Sequence, residues 1–191
     1  MQRIIWGRVL DFDSDAPIGG ARVALWHFDG VDRELTAVTT TGDGRFNLTA
    51  VTWPAFWVRI ERLGHKTATY RGQQFDFTGD VALRVYRQLT LRPGEPVELK
   101  VFAEQGYDSC GPEGWLWCRE VAVAAGGRPI VVESTADDDI TLAEDPHFQE
   151  WDRDYGTRAT LVVSGDAVWV IRRMVTYQSP PVRVRLTARQ P

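Results

Sequence analysis

The sequence predicts an all-β protein made of two tandem antiparallel β-sandwiches. Three observations carry that expectation. Apolar and polar residues alternate with a period of two over short runs, as they do in half-buried strands. Turn residues recur about every ten positions, which suits a sandwich, and the 191 residues include 17 Gly and 10 Pro. Outside Ala143–Tyr155 helical periodicity never lasts beyond about two turns, and that segment reads as a long loop or one short helix opening at Asp145-Pro146.

Taken in order, the strands justify themselves by parity. Gly7-Arg8-Val9 lies in the first. Ala21, Val23 and Leu25 then share one face, with Arg22, Ala24 and Trp26 on the other. Gly42-Asp43-Gly44 supplies a positive-φ turn between a Thr-rich strand and Phe46/Leu48, a hairpin signal. Val58 and Ile60 point inward and Trp57 and Arg59 outward; Val81, Leu83 and Val85 do the same against Ala82, Arg84 and Tyr86. Leu91-Arg92-Pro93-Gly94-Glu95-Pro96 is the expected seam, because neither proline can donate a ladder hydrogen bond. The domains are therefore expected at 1–92 and 93–191. Six strands follow the seam, at 97–102, 120–124, 130–133, 159–163, 167–171 and 182–186, a second sandwich of immunoglobulin-like pattern.

The motifs Gly7-Arg8-Val9, Pro17-Ile18-Gly19-Gly20-Ala21-Arg22-Val23-Ala24-Leu25 and Thr39-Thr40-Thr41-Gly42-Asp43-Gly44-Arg45-Phe46-Asn47-Leu48 resemble the carboxypeptidase regulatory-like domain, a small β-sandwich of the transthyretin-like (prealbumin-like) group. The resemblance covers residues 4–92. It implies a rigid accessory, adhesion or assembly module on a secreted or surface protein, and it implies no catalytic residue.

Composition narrows the partners. The net charge of −4 disfavours nucleic acid or an anionic membrane as a main partner, and no apolar run is long enough to span a bilayer, so no membrane insertion is expected. The charge is uneven, +2 over residues 1–92 and −6 over 93–191. The first residues read as a strand and lack the apolar region of a signal peptide. Cys110 and Cys118, the two cysteines of the chain, enclose a seven-residue loop holding Gly111, Pro112 and Gly114. A disulfide there would stabilise by about 2.5 kcal/mol in the chain-entropy model, and it would imply an oxidising compartment. The alternative is a reduced pair in the cytosol.

Enzyme chemistries that use related sandwiches find no residues here. Intradiol dioxygenases share the Gly-x-Val and Pro-x-x-Gly-Ala pattern but hold iron with a His-x-His pair. The corresponding segment, Arg59-Ile60-Glu61-Arg62-Leu63-Gly64-His65, has one histidine. His147-Phe148-Gln149-Glu150 imitates the zinc motif of metallocarboxypeptidases, yet no histidine follows it. Pilin-type self-crosslinking needs a facing Lys and Asn, and Asn47 is the lone asparagine, with no lysine on its expected partner strand. His27 reads as a core or rim histidine and His65 as an exposed turn residue. No cofactor is expected, with calcium as the one alternative: Asp11-x-Asp13-x-Asp15 has carboxylate spacing but lacks the Gly and Glu of a calcium loop, and reads as a solvated turn. Asp137-Asp138-Asp139 reads as another, which could share calcium with Glu144, Asp145, Asp152 and Asp154.

Eight tryptophans leave aromatic surface as the functional signal. Trp26, Trp57 and Tyr86 fall on the face away from the core, with Arg59 and Arg84 beside them. Phe148, Trp151 and Tyr155 fall in the acidic segment, at a sandwich end where recognition commonly sits. The expected function is non-catalytic binding of a protein partner or self-association at the cell surface or outside it. The alternatives are a structural subunit of a surface layer, filament or virion, and a carbohydrate-binding module that stacks sugars on Trp26 and Trp57.

Overall fold

The computed structural model describes residues 2–51, 56–72, 76–101, 116–144, 155–173 and 180–191. Among them every regular element is a β-strand, and the chain divides into two compact units between Arg87 and Gln88. The expected helix or loop over Ala143–Tyr155 lies almost wholly outside the described residues.

The first unit holds β1 (Gln2–Asp11), β2 (Arg22–Phe28), β3 (Asp32–Thr39), β4 (Arg45–Val51), β5 (Phe56–Glu61), β6 (Ala68–Arg71) and β7 (Asp80–Val85). They form a three-stranded sheet, β4-β1-β7, and a four-stranded sheet, β3-β2-β5-β6. The alternation predicted from sequence places Ile5 and Val9, Val23 and Leu25, Val58 and Ile60, and Val81, Leu83 and Val85 in one buried core. Each such side chain contributes about 1.5–3 kcal/mol when fully withdrawn from water. Pairing is antiparallel except between β1 and β7, which run parallel.

Gly7 sets how closely those two strands approach. A Cβ there would stand 1.9 Å from the Val81 carbonyl oxygen, so any side chain would push β7 away. Gly44 adopts φ +76° and sits against the Val9 carbonyl, a left-handed turn that suits glycine. The Gly42–Gly44 turn is therefore present, but the strands it joins are not a hairpin. β3 and β4 part into opposite sheets, and the turn is a corner of the sandwich. Two devices tie this unit together. Thr40 Oγ1 accepts from the Ala21 N–H and donates to the Ile18 carbonyl. Tyr70 on β6 donates its hydroxyl proton to the Arg84 carbonyl and accepts from the Arg84 N–H, both at 2.7 Å, joining the edge of one sheet to the other.

The second unit contains β8 (Thr90–Leu91), β9 (Val97–Val101), β10 (Leu116–Val123), β11 (Ile130–Ala143), β12 (Gly156–Val163), β13 (Ala167–Arg173) and β14 (Val182–Arg189). Leu91 is fully buried in this unit's core, and β8 pairs in parallel with β10. The expected seam after residue 92 thus shifts upstream: the segment before Pro93 is already a strand of the second core. β11 organises the unit. Residues Ile130–Ala136 pair with β12 and β14, while Thr141–Ala143 pair with β13. One strand thus changes neighbours within a seven-stranded sheet, bending where its register with β12 shifts between Thr135 and Ile140.

Asp137-Asp138-Asp139 lies at that bend, not in a solvated turn. Asp137 Oδ1 accepts from the Arg183 N–H at 2.8 Å. Asp138 Oδ2 accepts from Arg172 Nη2 at 2.8 Å, and Arg172, buried to 5% exposure, also donates to the Pro180 carbonyl at 2.6 Å. The Asp139 N–H bonds the Asp138 carboxylate and, with Arg172, holds it below its ordinary pKa against the opposing effect of burial.

Candidate interaction site

The antiparallel register of β2 with β5 sets Trp26 directly opposite Trp57 on the outer face of the four-stranded sheet. The flanking strands extend the row, so that Glu34, Trp26, Trp57 and Arg71 lie side by side across β3, β2, β5 and β6. The next outward row is Ala37, Ala24, Arg59 and Thr69. Ala24 is fully buried although it faces outward. Trp26, Trp57 and Arg59 are each half-buried.

Charge orders this face. Arg22 pairs with Glu34 at 2.5 Å and with Glu61 at 3.3 Å, and the Glu34 hydrogen bond raises the Arg22 pKa above its ordinary value. Arg59 Nε lies 2.9 Å from Glu61 Oε1, though off the line of its N–H, and its guanidinium carbon stands 5.9 Å from the Trp26 ring centre. The Trp26 indole N–H is buried and meets no acceptor among the described residues. A desolvated donor of this kind costs free energy until something accepts from it. Arg71, exposed beside Trp57, has no ion pair among the described residues.

Asp11 builds a second cluster. It is 2% exposed, which replaces the expected solvated turn. Its Oδ1 accepts from the Asp13 and Ser14 N–H groups and from the Ser14 hydroxyl, at 3.1, 3.0 and 2.8 Å. Its Oδ2 faces Arg87 at 3.2 Å and His65 Nε2 at 3.6 Å. Burial pushes this carboxyl's pKa up, but the Ser14 and Arg87 bonds outweigh it and the net direction is down. His65, expected as an exposed turn residue, has a side chain only 15% exposed because its backbone bridges to Arg87. Ser14, Asp11 and His65 meet with the carboxylate in the middle. Nucleophilic activation needs the imidazole between hydroxyl and carboxylate, so this order fixes a turn and does not prime a serine.

The other predicted positions scatter. Tyr86 is buried, not outward: β7 ends at Val85, strand parity lapses, and the ring packs on Phe12 with centroids 4.3 Å apart. Phe148 and Trp151 lie outside the described residues, and Tyr155 is half-buried just before β12. Cys118 sits half-buried on β10, opposite Ile171, and is not a free thiol; Cys110 lies outside the described residues. Of the proposed calcium ligands, Asp145, Asp152 and Asp154 also lie outside them. Glu144 accepts hydrogen bonds from the Ser164 and Gly165 N–H groups. Among the described residues no three carboxylate, histidine or cysteine side chains gather as a metal site.

Sequence reasoning passed over Ile4 and Trp6. They are 58% and 40% exposed on the outer face of β1, and the same parity that finds Ile5 and Val9 would have placed them there.

No curated protein matches the chain in sequence. Among solved structures, the major pilin subunit BcpA of Bacillus cereus aligns over 99% of this chain and 59% of its own, with 9% identity and a TM-score of 0.34. The chain thus spans about three-fifths of that protein's length. A DUF3823 family protein from Bacteroides uniformis aligns over 98% of this chain and 89% of its own, with 12% identity and a TM-score of 0.35. Likeness at this level assigns no function. The sequence model of the carboxypeptidase regulatory-like domain matches residues 4–103, taking in the first sandwich from Ile4 onward, with the Gly7 contact and the Gly44 corner, and running on through β8 and β9. On that match, over half its length, the chain belongs to the carboxypeptidase regulatory-like domain family.

Proposed function

We propose that this chain is a non-catalytic accessory or adhesion module, extracellular or at the cell surface, that binds a protein partner through the outer face of β3-β2-β5-β6. The observation that carries the reading is the buried, unmet Trp26 N–H, on a face that sets Trp26 opposite Trp57 and Trp57 opposite Arg71, with Arg59 over the Trp26 ring. Aromatic and arginine side chains are enriched among the hot spots of protein interfaces, and a partner carbonyl or carboxylate that displaces the side chains over Trp26 would satisfy the donor. The immunoglobulin-like second sandwich is closed by a Cys110–Cys118 disulfide; intact mass with and without reductant tests that bridge.

The test is capture from the surface fraction of the source cell by the full chain and by its Trp26→Ala and Trp57→Ala variants. A protein retained by the parent and lost from both variants supports the reading. Equal retention by all three refutes it, as would turnover of a small molecule by the purified chain. A structural subunit of a filament, surface layer or virion would instead self-associate in sedimentation as concentration rises. The carbohydrate alternative has less support, because Arg59 covers Trp26 and both rings are half-buried. Binding on a neutral glycan array, abolished by Trp57→Ala, would favour it.

A further inference from the structure

The second unit carries a surface of different character. β12, β11, β14 and β9 are neighbours in one sheet, and along β14 burial alternates strictly, so Arg183, Arg185, Thr187 and Arg189 all face out. The register aligns Arg158 of β12, Thr135 of β11, Arg185 of β14 and Glu98 of β9 in one row, and Thr160, Glu133 and Thr187 in a parallel one. With Lys100, five cationic side chains meet three carboxylates on this face, in a half of the chain whose balance is −6. Glu133 pairs with Arg189 at 3.1 Å, and Asp137 is bonded to the Arg183 backbone. Among the described residues the guanidinium groups of Arg158, Arg183 and Arg185 have no ion pair or hydrogen bond, and the exposed hydroxyls of Thr135, Thr160 and Thr187 have no partner either.

We propose that this face binds an acidic polysaccharide, independently of the aromatic face of the first unit. Three unpaired guanidinium groups repel one another unless an anion lies among them, although the chain holds 26 carboxylate residues that could have served. Strand geometry fixes their spacing at about 6.8 Å along β14 and about 9.6 Å across two strand intervals. Arginine presents a planar fork that matches carboxylate and sulfate oxygens. The threonine hydroxyls between these charges donate to and accept from sugar hydroxyls. A sugar acid chain offers spaced charges separated by hydroxyls, which is the pattern of this face. A duplex carries a charge about every 1.7 Å, several times denser than the spacing of these guanidinium groups.

The full chain is titrated by biolayer interferometry, at low salt, against immobilised polygalacturonate, dextran sulfate and neutral dextran, with poly-dT as a competitor. The variants are Arg158→Gln/Arg185→Gln and Arg183→Gln, exposed substitutions whose thermal unfolding should match the parent. Binding to either acidic polymer, absent on neutral dextran, weakened by salt and at least about tenfold weaker in the double variant, is the result expected. Polygalacturonate and dextran sulfate separate carboxylate from sulfate preference. Absence of binding to both, or equal binding by the double variant, overturns the proposal. So does equal or tighter binding of poly-dT, which would mean the face reads charge alone. Self-association lost in the arginine variants would make a second copy the occupant and would also overturn it.

Discussion

The Arg59 guanidinium carbon stands 5.9 Å from the centre of the Trp26 ring, one strand over from Trp26 and one outward row along from the tryptophan pair. The ring's negative face attracts the cation, and the contact holds both side chains against the sheet. Arg59→Ala is expected to lower stability by about 0.5–1 kcal/mol in urea unfolding. The Glu61 pair adds little, since its partners are 42% and 36% exposed. A double-mutant cycle with Trp26→Leu isolates the contact. A coupling energy within error of zero would show that the two groups are neighbours without attraction.

Tyr70 has a heavier structural role. Its hydroxyl satisfies both backbone groups of Arg84, which belong to the opposite sheet. Tyr70→Phe keeps the ring and strands those groups, at an expected cost of about 1–3 kcal/mol. Amide exchange should accelerate at Arg84 in the variant more than at Val58, deep in the same core. Unchanged protection at Arg84 would mean that water replaces the hydroxyl.

How much of this was legible depends on the range of the interaction. Alternation found Val23/Leu25, Val58/Ile60 and Val81/Leu83 because a half-buried strand writes its own period into the sequence. The same rule placed Trp26, Trp57 and Arg59 on one outer face, while their register could come only from strand pairing. It failed at Tyr86, one residue past the end of β7, where the period no longer applies. Asp11 was misread because its partner Arg87 lies 76 residues away. The Asp137–Asp139 triplet was misread for a related reason: the cation and the backbone that engage it arrive from β13 and β14.

Asp11 gives a pH signature. Its carboxyl titrates below the ordinary value of 3.8 in the folded chain, so the unfolded chain takes up the proton first. The stabilisation is fully present above that ordinary value and is lost as pH falls through the lower folded one. Thermal unfolding followed from pH 6 downward should therefore fall more steeply for the parent than for Asp11→Asn. Parallel curves would show that the Ser14 and Arg87 bonds persist without the charge.

Arg172 and Asp138 supply the matching case at the bend of β11. Arg172 is buried, yet Asp138 remains 52% exposed at its side chain, so the loss on breaking the pair is smaller than for two buried ions. Asp138→Ala leaves the guanidinium with the Pro180 carbonyl alone and should cost about 1–3 kcal/mol. Asp138→Asn keeps an accepting oxygen and should cost less. Arg172→Met replaces the charge with apolar volume and is expected to lie close to the parent. If Asp138→Ala unfolds like the parent in urea, the β11 bend is held by packing and the Pro180 bond, with the acid a bystander. Because the Asp138 carboxyl is also held low, it loses its stabilisation in the same direction as Asp11. The acid slope that survives in Asp11→Asn should shrink again once Asp138→Asn is added.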